Sequence, residues 1–175
     1  MTIEQIQADE ALRLREFPVA RETAYLAHAA VCPLPACARD AVSDYAAAGT
    51  GGDQENFVPA NLLRDTRQLA SNLLGAELCE IALVGPTSLG LSFIAQGIDW
   101  QPGDNIIVHG DDYPSNVYPW MALAEKGVKL KRIEPGVPGR IEPKDVFELI
   151  DPRTRMAALA SCHYVSGYRI DIGTI

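Results

Sequence analysis

Residues 83–92, LVGPTSLGLS, form a corner between an apolar run and a helical pattern, and their spacing approaches that of a phosphate-binding loop. That loop reads GxxxxGK[ST], and Leu91 occupies the position whose lysine must reach the phosphates. Backbone N–H groups at the start of the helix, together with the hydroxyls of Thr87 and Ser88, would instead offer neutral donors to an anion. The corner therefore predicts either a phosphate cradle or a simple helix cap made by these two residues.

Ser88 also suggests a serine hydrolase. The nucleophile elbow of such enzymes reads GxSxG, and here Pro86 replaces the first glycine, which normally relieves crowding at a strained turn. This departure weakens the interpretation without removing it, because acids and bases are present further along the chain: Asp111, Asp112, His109 and His163. Nucleophilic catalysis by Ser88 stays open as an alternative function.

The composition limits the classes of partner. The chain has 175 residues, 47% of them hydrophobic, which is enough for a buried core. Its net charge of -8 argues against the basic face that nucleic acid or an anionic membrane would require. The opening residues resemble neither a signal peptide nor a transit peptide, so we expect a cytoplasmic protein.

Two further features bear on location and metal binding. The window 81–98 has no charged residue, but Gly85 and Pro86 interrupt it, so it predicts a strand, a turn and a helix rather than a membrane span. The four cysteines show no CxxC spacing and indicate neither a zinc site nor a disulfide framework. We expect them to be reduced and mostly buried.

The hydrophobic periodicity predicts an α/β fold with a mostly parallel sheet and flanking helices. The predicted strands are 81–84, 105–108, 128–133 and 156–160, and the helices between them are 89–98, 116–126 and 143–150. Phe93, Ile94 and Ile98 are expected on the inner side of the first of these helices. Residues 1–80 predict a helical segment that packs on the sheet, with helices at 4–15, 37–48 and 62–74.

Polar stretches follow three of the predicted strands. They are residues 83–92, residues 110–120 (GDDYPSNVYPW) and residues 160–171 (ASCHYVSGYRID). Loops after successive parallel strands meet at the carboxyl edge of a sheet, where ligands bind in such folds. The sequence thus predicts one rim that collects all three stretches.

Together these strings resemble the N-terminal half of the large domain of class V aminotransferases, a pyridoxal-phosphate group of fold type I. That group includes cysteine desulfurases, kynureninase and isopenicillin N epimerase-like proteins. The string YLAHAAVCPLP at 25–35 is similar to an early segment of the same family, and the likeness spans residues 17–175. The YPSN and YVSGYRID strings are its most specific parts.

The resemblance implies roles for individual residues. It places the phosphate of pyridoxal 5'-phosphate at Thr87 and Ser88, and stacks Tyr113 on the pyridine ring. His163 matches the position that reaches the ring hydroxyl, where relatives often have Gln or Asn. His28 matches a position near the substrate entrance without a fixed chemical role, and we expect it to be a surface residue.

The family likeness also implies what the protein does. Relatives act on amino acids by transamination, desulfuration, epimerisation or carbon–carbon cleavage, as homodimers. Their Schiff-base lysine and the acid that pairs with the pyridine nitrogen are expected beyond Ile175, so residues 81–175 are interpreted as a truncated cofactor domain that is inactive alone. The lysines present match no Schiff-base motif, and most are expected to be solvated: Lys126, Lys129, Lys131 and Lys144. A non-catalytic remnant acting as an interaction module is a third possibility.

Overall fold

The computed structural model describes residues 2–28 and 31–175. Ala29 and Ala30, part of the YLAHAAVCPLP string, lie outside the described residues. The chain divides into two compact units, Met1–Ala82 and Leu83–Ile175. Within the described ranges, no helix has both the length and the apolar character needed to cross a membrane.

The N-terminal unit is helical. The predicted helices at 37–48 and 62–74 are confirmed. The predicted helix at 4–15 is present as two short helices that meet at Asp9. The Asp9 carboxylate caps the second of them by accepting a hydrogen bond from the Leu12 N–H at 3.0 Å. The helices are α1 Ile3–Ala8, α2 Glu10–Glu16, α3 Ala36–Thr50, α4 Gln54–Phe57 and α5 Leu62–Leu74, with 3-10 turns at Pro18–Arg21 and Leu78–Glu80.

Polar contacts rather than a hydrophobic core tie this unit together. Among its described residues no hydrophobic side chain is buried, whereas Glu16 and Ser71 are. The Glu16 carboxylate accepts a hydrogen bond from the Cys37 N–H at 3.0 Å and so joins the end of α2 to the start of α3. Arg67 on α5 donates to the carbonyl oxygens of Leu78 and Ile81, which fixes the segment after that helix.

The C-terminal unit contains the parallel sheet that the sequence predicts. Its strands are β1 Asn105–His109, β2 Lys129–Ile133 and β3 Thr154–Ala158, in the order β2-β1-β3. Both pairings are parallel, with Asn105 of β1 opposite Lys129 of β2 and Thr154 of β3. β1 is buried along its whole length, as a central strand should be, whereas β2 and β3 are only partly buried.

Alternate residues of β1 enter two cores on opposite faces of the sheet. On one face Ile106 and Val108 pack with aromatic and aliphatic side chains that include Trp100, Trp120 and Leu123. On the other face Ile107 packs with a second cluster, made up of Ile133, Ile141, Val146 and Ile170. The central strand thus holds the two layers of this unit together.

The helices of this unit are α6 Thr87–Gly97, α7 Tyr118–Met121 and α8 Pro143–Phe147. The predicted helix 116–126 is present as α7 flanked by 3-10 turns at Pro114–Asn116 and Ala122–Lys126. It ends where predicted, at Gly127, which takes the left-handed conformation with φ 76°. Glycine is favoured there because it lacks the Cβ that crowds this conformation.

The predicted buried strand at 81–84 is wrong. These residues have no strand partner among the described residues, and Leu83 and Val84 are about half exposed. An apolar run forms a strand only when a neighbouring strand takes up its backbone hydrogen bonds. The described sheet contains β1, β2 and β3 and provides no such neighbour for this run.

The expected inner face of the helix at 89–98 is also partly wrong. Phe93 and Ile94 are exposed, whereas Ala95 is fully buried, and Leu91 and Ile98 pack against the core. The helix is apolar on several sides, so its periodicity does not identify one inward face.

The cysteines are likewise more exposed than expected. All four are free thiols on the surface, at Cys32, Cys37, Cys79 and Cys162. Two of them donate weak hydrogen bonds, Cys32 to the His28 carbonyl and Cys162 to the Gly167 carbonyl. The expectation of mostly buried thiols is therefore wrong.

Candidate functional site

The start of α6 carries free hydrogen-bond donors. Pro86 occupies the N-cap position, where it has no side chain able to cap the helix. In the part of the chain that the structure describes, the N–H groups of Thr87 and Ser88 have no acceptor, and both side chains are exposed. The first paired donor is the Leu89 N–H, 2.8 Å from the Pro86 carbonyl oxygen. The interpretation of Thr87 and Ser88 as a simple helix cap is therefore wrong, and their donors face solvent.

Tyr113 lies just beyond the carboxyl end of β1, on a loop that hydrogen bonds attach to the core. Asp112 is buried, and its carboxylate accepts hydrogen bonds from the Tyr113 N–H at 2.6 Å and from the Asn116 amide at 2.8 Å. Asn116 in turn accepts a hydrogen bond from the indole N–H of Trp120 at 3.0 Å. This chain of hydrogen bonds anchors the loop in the core, because Trp120 is 1% exposed.

The ring of Tyr113 remains 54% exposed above that anchor. Its edge meets the ring of Tyr164, with centroids 5.2 Å apart and planes at 82°. α6 packs against the 3-10 turn Pro114–Asn116 that follows Tyr113. The loop that carries Tyr113 and the helix α6 therefore lie side by side at one rim of this unit, although no strand of the described sheet precedes α6.

His163 is on the same rim but lies beneath the surface. Its side chain is buried, and its Nδ1 lies 3.0 Å from the Ser166 hydroxyl and 3.2 Å from the Ser166 N–H. Its Nε2 lies 3.1 Å from the carbonyl oxygen of Asp111. Both ring nitrogens therefore have partners within the chain, and the Tyr164 ring lies against the imidazole at 5.0 Å between centroids.

A second histidine joins this group. His109, at the end of β1, is 1% exposed, and its Nε2 lies 2.8 Å from Asp111 Oδ1. The alignment of the two groups does not make a hydrogen bond, so within the described part of the chain both atoms remain without a hydrogen-bond partner. His163 Nε2 is 3.7 Å from the same carboxylate oxygen. We refer to His109, Asp111 and His163 as the His-Asp-His cluster.

Burial lowers the pKa of His109 below its usual value, and the carboxylate of Asp111 opposes this effect. His109 is therefore a neutral imidazole near pH 7. Sequence reasoning named all three residues as candidate members of a hydrolase triad, and His163 also as a cofactor-binding residue, but it missed their grouping. The available signal was their position directly after two strands of one sheet.

The loop between β2 and α8 closes over the cluster. The Gly139 N–H donates to Asp111 Oδ2 at 3.2 Å. Gly139 has φ 77°, and a Cβ on it would overlap the His163 ring and the Ser166 hydroxyl. Only glycine combines this backbone conformation with so close an approach.

The serine hydrolase alternative gains no support. Among the described residues, the Ser88 hydroxyl has no hydrogen bond to a histidine, the contact through which a general base would activate it. The nearby acids have other partners: Asp111 lies beside His109, and Asp112 binds Asn116.

The remaining residues named from the sequence are structural or on the surface. His28, in the N-terminal unit, is exposed as expected. Of the lysines, three are exposed, namely Lys126, Lys129 and Lys144. Lys131 is half-buried and donates to Asp151 Oδ2 and to the Leu149 carbonyl oxygen, both at 2.6 Å.

Comparison with known sequences identifies relatives that include several cysteine desulfurases. A probable cysteine desulfurase of Methanothermobacter thermautotrophicus is 25% identical over 166 residues, which cover 92% of this chain and 42% of that protein. The cysteine desulfurase of Salmonella dublin is 29% identical over 177 residues, covering 94% and 43%. The chain thus spans less than half the length of these curated relatives.

Solved structures agree on the fold. A C-DES mutant with glycine covalently linked to its pyridoxal-phosphate cofactor superposes with a TM-score of 0.79 at 18% identity, over 93% of this chain and 44% of that one. The cysteine desulfurase CsdA of Escherichia coli gives a TM-score of 0.71 at 25% identity, over 95% and 44%. The fold is that of the fold-type I pyridoxal-phosphate enzymes. The family model for class V aminotransferases matches residues 24–175, and the protein belongs to that family.

Proposed function

We propose that this chain forms the phosphate cradle and ring platform of a pyridoxal-phosphate enzyme that removes sulfur from a cysteine-type amino acid. The observation that carries the proposal is that, among the described residues, the N–H groups of Thr87 and Ser88 at the start of α6 have no acceptor, while α6 itself packs against the turn that follows the exposed Tyr113. The relatives named cysteine desulfurase support this reaction, as does C-DES, which is named a cystine C–S lyase.

The start of α6 suits a phosphate group for a physical reason. Helix N-termini combine free N–H donors with the positive end of the helix dipole, and both favour an anion. The hydroxyls of Thr87 and Ser88 add two donors on exposed side chains. An anion held there would contact four donors without any cation.

Tyr113 suits the pyridine ring. Its hydrogen-bonded loop holds the backbone in place, and the contact with Tyr164 limits the swing of its side chain. A flat aromatic ring with one exposed face stabilises another flat ring by dispersion and π contact. The cofactor, when bound, would draw electrons from the amino-acid substrate, and the described residues would position it for that chemistry.

His163 would contact the ring hydroxyl only after giving up its contact with the Asp111 carbonyl oxygen, because both its ring nitrogens have partners. We retain it as a cofactor-binding residue on that condition. The Schiff-base lysine and the partner of the pyridine nitrogen are proposed to lie beyond Ile175, in a cytoplasmic homodimer.

Cofactor binding can be measured on the 175-residue chain by titration with pyridoxal phosphate and with pyridoxal, followed by the change in cofactor absorbance. Pyridoxal phosphate should bind more tightly, and replacing Thr87 and Ser88 together with Ala should remove the difference. Ser92→Ala is the control, since Ser92 lies one turn further along α6 and donates to the Ser88 carbonyl oxygen. Equal affinity for both compounds in the parent chain would contradict the cradle.

The reaction is tested on the whole protein by incubation with L-cysteine. With an added thiol reductant, which supplies the two electrons that reduce the removed sulfur, release of sulfide with formation of alanine would support desulfuration. Keto acid formation without sulfide would identify transamination, racemised substrate would identify epimerisation, and cleaved carbon skeletons would identify carbon–carbon cleavage. No cofactor binding at any concentration would favour the interaction module.

A further inference from the structure

The His-Asp-His cluster contains three side chains that can ligate a metal ion, and the cofactor proposal uses only His163. We propose that His109 Nε2, Asp111 Oδ1 and His163 Nε2 bind a divalent transition metal ion, for which Zn²⁺ is the probe. This inference concerns the residues beneath the rim and does not depend on the proposed cofactor function.

The spacing of the three atoms suits a single ion. All three lie within 4.8 Å of one another. Asp111 Oδ1 is 2.8 Å from His109 Nε2 and 3.7 Å from His163 Nε2. Zinc binds nitrogen and oxygen at about 2.0–2.2 Å, which places ligand atoms of a tetrahedral site roughly 3.3–3.5 Å apart. Small side-chain rotations bring the observed distances to that value.

Two of the three ligand atoms lack a hydrogen-bond partner among the described residues. His109 Nε2 and Asp111 Oδ1 are both buried, and they lie 2.8 Å apart without the alignment of a hydrogen bond. Native proteins rarely leave buried polar atoms in this condition without a water or an ion. A cation between the two atoms would bind the imidazole lone pair and the carboxylate together.

The third ligand can take the required tautomer. With the proton on Nδ1, His163 donates to the Ser166 hydroxyl at 3.0 Å and leaves the Nε2 lone pair free for the ion. In the metal-free tautomer Nε2–H donates to the Asp111 carbonyl oxygen at 3.1 Å, and Nδ1 accepts from the Ser166 N–H. Metal binding therefore moves one proton within the ring.

Groups around the cluster hold the ligands in place, as outer-shell partners do in known metal sites. The Gly139 N–H holds the second carboxylate oxygen of Asp111 at 3.2 Å. The Ser166 hydroxyl holds the outer nitrogen of His163. Gly139 also closes over the His163 ring, where any Cβ would overlap it.

The ligand set indicates the class of ion. Two imidazoles with one carboxylate suit Zn²⁺ or Fe²⁺, whereas Mg²⁺ and Ca²⁺ prefer oxygen ligands. His163 Nε2 cannot bind an ion and the cofactor ring hydroxyl at the same time. Metal and cofactor would therefore compete for this one nitrogen.

The test uses the 175-residue chain without pyridoxal phosphate. Its four exposed thiols are first alkylated, because surface cysteines also bind zinc. After treatment with chelator, Zn²⁺ is titrated in competition with a chromophoric chelator, and Co²⁺ is added separately to record visible absorption from a low-coordinate site. We expect one ion per chain, and a rise in melting temperature with Zn²⁺.

Asp111→Asn and His109→Asn should each weaken Zn²⁺ binding by at least about 100-fold, and Ser166→Ala by about 10-fold. His28→Asn, at an exposed histidine of the N-terminal unit, is the matched control and should bind like the parent. No stoichiometric binding by the parent, or equal binding by Asp111→Asn, overturns the proposal.

If Asp111→Asn and His109→Asn fail to fold, Ser166→Ala decides, because Ser166 is an exposed residue whose hydroxyl contacts His163 Nδ1 and the Tyr168 N–H but none of the three proposed ligand atoms. Unchanged affinity in that variant contradicts the site. Since no cofactor is present, failure of the cofactor proposal leaves these measurements unaffected.

Discussion

The two units of this chain differ in what stabilises them. The C-terminal unit buries a central strand between two hydrophobic clusters. The N-terminal unit is held by helix caps and polar contacts, and its apolar side chains are exposed, among them Leu63, Leu69, Leu73 and Leu74. Local signals are sufficient to indicate helices, but among the described residues the burial of hydrophobic side chains that stabilises a fold occurs around the sheet.

The difference also decides where a site can be built. Binding groups need a rigid support, and Tyr113 has one because its loop is anchored through Asp112 and Asn116 to the buried Trp120. No comparable anchor to a buried aromatic side chain occurs among the described residues of the N-terminal unit. The candidate site accordingly lies entirely in the C-terminal unit.

The largest expected difference in stability is between alanine substitutions at two leucines, one buried in the C-terminal unit and one exposed in the N-terminal unit. Leu123→Ala in the C-terminal core should lower the free energy of unfolding by about 2–5 kcal/mol, because Leu123 is fully buried. Leu73→Ala on α5 should change it by less than about 0.5 kcal/mol, because Leu73 is 79% exposed. Urea denaturation measures both, and equal losses would remove the contrast between the units.

A pair of glycines sharpens the comparison. Gly127 and Gly75 both follow a helix in the left-handed conformation. Alanine there is disfavoured by about 1–2 kcal/mol. Gly127→Ala should lower the midpoint of the main unfolding transition. Gly75→Ala should instead lower the stability of the helical N-terminal unit. If both variants shift the same transition equally, measured by circular dichroism at several wavelengths, the units unfold together.

Tyr113→Ala should weaken the binding of pyridoxal phosphate by about 1 kcal/mol, because a stacked ring contributes about that much beyond its buried area. Fluorescence titration gives the dissociation constant. Tyr45→Ala is the control, since Tyr45 is similarly exposed on α3 of the other unit. An unchanged constant for Tyr113→Ala would exclude stacking.

The smallest effect should be a pH dependence. Hydrogen bonds from Lys131 and then from Asn105 and the Arg153 N–H lower the pKa of Asp151 well below its usual value. A carboxyl with a depressed folded-state pKa contributes stability that is present above its unfolded pKa, near pH 4, and is lost as the pH falls further. Its contribution is small because both Lys131 and Asp151 reach solvent.

Asp151→Asn should therefore flatten the fall in melting temperature between about pH 5 and pH 2. Asp40→Asn is the comparison in the N-terminal unit, where Asp40 pairs with Arg39 on the surface. In Asp40→Asn the melting temperature should fall with pH as steeply as in the parent chain. An identical slope for Asp151→Asn and the parent would show that this carboxyl does not contribute.

Much of the sheet and one helix end could be predicted because their signals are local. β1 contains the apolar run 106–108, the sequence around β2 alternates apolar and charged residues, and Gly127 ends the preceding helix. Predicting a strand at 81–84 failed because a strand also needs a hydrogen-bonded neighbour, which no local pattern reveals. The prediction that Phe93 lies on the inner side of its helix failed for a similar reason. The periodicity of a helix that is apolar on several sides does not identify its buried face.

By itself the sequence determined the parallel α/β order and the position of Tyr113 after the end of β1, because periodicity and chain order are enough for both. Tertiary structure alone decided that Asp111 lies beside both His109 and His163, the second of them 52 residues away in the chain. It also decided that Gly139 closes over them. Contacts between such distant residues arise when strands pair and loops pack, and no short stretch of sequence contains them.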